Sequence, residues 1–200
     1  MKRLFPFGAY RAMWLFLFTL FLPTAVQAHV GFGQTGGLLN GLGHPIGGLD
    51  HVLAMVAVGL WAAQRGGRAL WLVPSTFLVA MTFGGVLGAI GLSVPFVEQG
   101  VVISVVGLGV LIAVAAQLPV LASAIVIGAF ALFHGHIHGA EMPLNASALA
   151  YGTGFLATTA LLHGMGVATV LFTSALGERR FVRVAGGTIA LCGVYLWLAA

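Results

Sequence analysis

Two short runs hold most of the side chains in this chain that could ligate a metal ion: His44-Pro45-Ile46-Gly47-Gly48-Leu49-Asp50-His51 and His134-Gly135-His136-Ile137-His138-Gly139-Ala140-Glu141. If the first run is helical, His44 and His51 lie about two turns apart on one side, with Asp50 beside them. Pro45 suits a first helical position. Asp50 then either serves an ion or caps the helix and holds His51 in one tautomer. In the second run His134 and His138 are i,i+4 neighbours and Glu141 follows one turn on, a spacing that lets one helical face chelate one ion. His136 points elsewhere unless Gly135 and Gly139 unwind the segment. The plainer reading of this run is a solvated loop. His163 stands alone among apolar neighbours, either as a ligand or as a hydrogen-bonded core residue. Met142 and Met165 lie close to these runs in sequence and suit core packing better than ligation.

Imidazole with carboxylate suits nickel, cobalt, zinc and copper(II). With one cysteine, Cys192, and no methionine cluster, copper(I) is disfavoured, and no internal disulfide or thiolate site can form. Cys192 reads as a small apolar core residue. Calcium and magnesium want oxygen ligands, and seven histidines outnumber four acids here. Paired membrane histidines can hold haem, but these sit with acids at what reads as an outer mouth. No phosphate-binding loop is present.

The elements that must carry these residues follow from composition. Of 200 residues, 60% are hydrophobic and 6% charged, against roughly 25% charged in soluble domains. A water-soluble globule and a disordered chain are both excluded, and an all-α, polytopic helical membrane protein is expected. The net charge of +4 is scattered among apolar runs and makes no nucleic-acid face. Lys2, Arg3 and Arg11 precede the apolar run Ala12 to Leu22, and Val26-Gln27-Ala28 follows Pro23. That pattern is a secretory signal peptide with cleavage after Ala28; an uncleaved first helix is the alternative. Cleavage would make His29 the N-terminus, where amine and imidazole together could hold a metal. Residues 29–200 then form one domain of six spans, near Pro45–Gln64, Ala69–Leu92, Val97–Gln117, Pro119–His138, Ser147–Ala175 and Phe181–Leu198. Gly84 and Gly88 would let two helices approach closely.

Topology follows from the arginines. With the N-terminus outside, Arg65, Arg68, Arg179, Arg180 and Arg183 all fall inside, as the positive-inside rule requires. Asp50, Glu98 and Glu141 then sit at outer ends of spans, Glu178 sits inside, and the histidines occupy the outer half or the midplane. The apolar stretch Val52 to Ala63 is too short to cross alone, so Asp50 and His51 must lie within the first span. An acid there is a functional candidate by default.

The octapeptide His44 to His51 resembles the HPxxGxDH signature of the HupE/UreJ family, membrane proteins linked to hydrogenase and urease and regarded as nickel permeases. The resemblance extends over the leader, the six spans and the run ending His138-Gly139-Ala140-Glu141. The wider nickel–cobalt transporters carry His-x4-Asp-His, whereas five residues separate His44 from Asp50 here. The resemblance implies a bacterial inner-membrane permease, not an enzyme, with no permanently bound cofactor. Nickel, or cobalt, would move from periplasm to cytoplasm for hydrogenase or urease maturation. On that reading Glu98, Glu141 and the outer histidines (His44, His134, His136, His138, with His29) capture the ion. Asp50, His44 and His51 strip its water, and His163 receives it. Assembly as a homo-oligomer is compatible with this scheme. A membrane metalloenzyme or haem-bearing subunit, and a purely structural subunit, remain as alternatives. The arginine bias places both termini outside, so a periplasm-active reporter fused after Ala200 is expected to be active; activity of a cytoplasmic reporter there would overturn the span count.

Overall fold

The computed structural model describes residues 37–144 and 146–199; the expected signal peptide, its cleavage point and His29 lie outside them. Among the described residues every regular element is helical: α1 (Gly37–Gly43), a 3-10 turn (His44–Ile46), α2 (Leu49–Arg65), α3 (Ala69–Ala89), α4 (Val97–Ala113), α5 (Val120–Ala140), α6 (Ala148–Ala175) and α7 (Arg179–Ala199). Helices α2 to α7 match the six expected segments one for one. Four of them, α3, α5, α6 and α7, are long and apolar enough to cross a membrane. Helix α1, the 3-10 turn and α2 make a fifth candidate only as a pair bent by 81°. Helix α4 has 17 residues, about 25 Å at 1.5 Å per residue, short of a ~30 Å hydrocarbon core. Among the described residues, length and composition thus support four or five spans, and the count of six is not confirmed.

The first expected span, Pro45–Gln64, is not one helix. Pro45 begins a 3-10 turn, Gly47 ends it, and the backbone of Gly48 is extended (φ −117°, ψ 129°), so α2 restarts at Leu49. The third ends at Ala113 rather than Gln117. There the Ala116 N–H donates to the Leu111 carbonyl and Ala115 takes a left-handed φ of 52°, a Schellman-type ending with alanine where glycine is usual.

Helix α2 is the centre of the bundle. Leu53 to Ala62 is buried almost without interruption, Val56 alone being half-buried, so it is covered on all sides, as an internal helix must be. Helices α3, α4 and α6 pack around it. The outer helices turn large apolar side chains outward, Trp71 on α3 and Leu121 on α5 among them.

Glycines set how close the helices come. Added Cβ atoms at Gly84 and Gly88 would lie 2.3 Å from the Leu132 carbonyl oxygen and 2.1 Å from that of His136. Those at Gly135 and Gly139 would lie 1.9 Å and 2.0 Å from the Met81 and Gly85 carbonyls. Helices α3 and α5 therefore run in parallel in backbone contact, as the Gly84/Gly88 spacing predicts. Gly59 and Gly166 join α2 to α6 in the same way, and Gly109 and Gly186 join α4 to α7. Overpacking costs about 1–3 kcal/mol, so Gly109→Ala, whose Cβ would meet the Ala190 nitrogen at 2.4 Å, should lower the melting midpoint in detergent. Gly187→Ala on α7, with nothing within 4 Å, should leave it equal or raised.

Candidate metal centre

The break before α2 brings the two motifs together. His44 on the 3-10 turn and Asp50 and His51 in the first turn of α2 meet the last turns of α5, which carry His134 and His138. Gly48 leaves room there for both side chains: an added Cβ would lie 2.6 Å from Asp50 Oδ1 and 2.7 Å from His51 Cδ2. His44 and His51 are therefore not neighbours along one helical face. They converge from two sides on His138, with ring centroids 4.7 Å and 4.1 Å from it.

Glu141, at the C-cap of α5, completes a cluster. Its Oε2 lies 3.2 Å from His44 Nε2 and 3.8 Å from His138 Nδ1, and one ligand atom from each of the three residues fits within 4.8 Å of the others. With metal–ligand bonds of about 2.1 Å, ligand atoms on one ion sit about 3.0–4.2 Å apart. Closing the cluster on an ion therefore needs side-chain shifts of a few tenths of an ångström to about one. Asp50 Oδ1 accepts the His51 backbone N–H at 2.9 Å but stands 3.9 Å from His51 Nε2, too far to hold the ring. The carboxylate thus satisfies one first-turn N–H and keeps acceptor capacity free.

A line of rings continues inward. His51 lies 5.4 Å from His134, Phe77 of α3 lies 5.7 Å from His134, and His163 of α6 stands edge-on to Phe77 at 5.1 Å. The His44 side chain is 27% exposed, whereas His134 and His163 are buried. His134 Nδ1 bonds the Phe130 carbonyl at 3.0 Å and His163 Nδ1 the Met55 carbonyl at 2.8 Å. Those bonds make Nδ1 the donor and leave Nε2 as a lone-pair nitrogen. Both Nε2 atoms are buried without a partner, as are His51 Nδ1 and both nitrogens of His138. Each such group costs about 1–3 kcal/mol, and a metal ion is one of few ligands that imidazole lone pairs can share.

Other expected ligands lie elsewhere. Helix α5 stays helical through Gly135 and Gly139, so His136 faces away and its Nε2 meets the Leu92 carbonyl at 2.6 Å. Glu98 is exposed in the first turn of α4 and is outside the cluster. Met142 and His138 line an apolar cavity of about 170 Å³, and Met165 is exposed. Phe77, Tyr151 and Phe155, which the sequence did not single out, pack on the histidine rings; aromatic residues in apolar spans carry no distinguishing signal.

A family model for the HupE / UreJ protein matches residues 17–196. The chain belongs to the HupE/UreJ family. Protein HupE of Rhizobium leguminosarum bv. viciae is 47% identical over 182 residues, covering 90% of this chain and 94% of the relative. No solved structure matches. Both histidine motifs of this HupE/UreJ chain fall within the matched span. If the three-residue cluster is the mouth of its site, Glu141→Gln should weaken nickel binding to purified protein at least tenfold by calorimetry. His136→Ala and Glu98→Gln should bind as the parent does.

Proposed function

We propose that this chain carries a divalent transition-metal ion, nickel or cobalt, through the membrane by way of its line of histidines. The observation that carries the reading is the set of partnerless imidazole nitrogens on His51, His134, His138 and His163, leading inward from the His44–Glu141 mouth. Imidazole nitrogen with two carboxylates suits these ions over calcium or copper(I), and the HupE/UreJ resemblance points to nickel. His44 and Glu141 capture the ion, Asp50 and His51 replace part of its water, and His138 and His134 pass it inward to His163. Phe77 separates His134 from His163 and must turn aside for the ion to pass.

Direction follows from charge. Arg65 and Arg183 lie at the opposite end of the bundle from the mouth: Arg65 bonds Ser123 in the first turn of α5, and Arg183 Nε donates to the Ala113 carbonyl at the end of α4 at 2.8 Å. With the arginines cytoplasmic, the histidine mouth faces the periplasm in a bacterial inner membrane, and transport is inward. A dication gains about 4.6 kcal/mol per 100 mV, enough for roughly thousandfold accumulation without ATP. The ion would then supply maturation of hydrogenase or urease.

Asp50→Asn keeps the acceptor for the His51 N–H and removes the charge. It is expected to insert at the parent level by immunoblot and to take up at least tenfold less radioactive nickel at every concentration. Full uptake would leave Asp50 as a structural group only.

A further inference from the structure

A second cavity, of about 390 Å³, lies at the arginine end, walled by Gln64, Gln117, Val170, Ser174, Val182 and Arg183 among others. Helices α2 and α6 lead to its level from that of His163. That residue is tied to Met55 of α2, and α2 and α6 run in parallel from this level toward the cavity. Val170 and Ser174 lie about two and about three turns beyond His163 on one side of α6, and Gln64 lies about 13 Å beyond Met55 along α2. Gln64 Nε2 donates to the Ile112 carbonyl at 3.0 Å, which fixes the amide and leaves Oε1; that oxygen is buried and has no partner. Arg183 and Trp61 cap the Ala113 and Ala116 carbonyls of the same chain segment, Trp61 at 3.3 Å.

Resting on the proposed transport, we infer that this cavity is the vestibule through which the ion leaves His163, with Gln64 Oε1 as the first oxygen to receive it. The chemistry favours release. Imidazole gives way to an amide oxygen and a serine hydroxyl, weaker donors for these ions, and the Arg183 guanidinium in the wall repels a dication. The ion is thus held tightly at the mouth and loosely at the exit, where water can replace the protein ligands. None of the described histidines lines this cavity, so its role separates experimentally from capture.

The test uses full-length protein with Cys192→Ser, which leaves an added cysteine as the only thiol, and Ser174→Cys, exposed to a membrane-impermeant cationic thiol reagent. In everted vesicles the reagent should modify the cysteine and cut nickel flux at least tenfold relative to the same unmodified protein. In right-side-out vesicles it should not reach it. Gln64→Leu should lower the maximal rate at least fivefold while the half-saturating nickel concentration stays unchanged. Equal labelling from both sides, unaltered flux after labelling, or a Gln64→Leu effect confined to half-saturation would overturn the exit assignment. Absence of nickel flux in the Cys192→Ser parent would instead remove the transport reading itself.

Discussion

An imidazole nitrogen buried without a hydrogen-bond partner costs about 1–3 kcal/mol, and in this bundle nitrogens of His51, His134, His138 and His163 find no protein partner. The rest of the architecture makes the arrangement tenable. His134 and His163 spend their Nδ1 on backbone carbonyls of Phe130 and Met55, so each ring is fixed in orientation while Nε2 stays free. Phe77 packs on the His163 ring and Phe155 on that of His138, which holds both rings in place. A ligand that several lone pairs share in succession would recover that energy step by step, which is what a moving ion needs.

Bringing histidines from α2, α5 and α6 to one line requires backbones closer than ordinary side chains permit. Glycine contacts between α3 and α5, and between α2 and α6, supply that approach. Gly59 illustrates the dependence: its missing Cβ would fall 2.0 Å from the His163 carbonyl oxygen, so the glycine on α2 sets the position of the α6 histidine. The bend before α2 serves the same end. It turns His44 back over the mouth to meet Glu141, which one continuous helix could not do.

Much of this is written in the sequence. Composition announces a helical membrane chain, and each of the six apolar segments holds a helix, the first of them interrupted by a turn. The close pair Gly84 and Gly88 is used as its spacing suggests. The histidine and acid runs mark where polar groups gather, because little else in the apolar stretches is polar. What could not be read is how the runs meet. Gly47 and Gly48 break the first segment, a choice of tertiary structure over an otherwise acceptable helix, and so His44 and His51 converge on His138 rather than on each other. The fate of His136 and Glu98 depended on which side of α5 and α4 met the centre, and their bulk apolarity hides that. Phe77 and Gln64 left no trace because an aromatic ring and an amide are ordinary in such segments until their neighbours are known.

The central claim is that the histidine line conducts a dication. Purified protein in liposomes, under an imposed inside-negative potassium diffusion potential, tests it most directly. Radioactive nickel is expected to accumulate by about tenfold for each 30 mV of potential, and the accumulation to disappear when the potential is collapsed. Nickel entry no greater than in protein-free liposomes, at any potential, would contradict it.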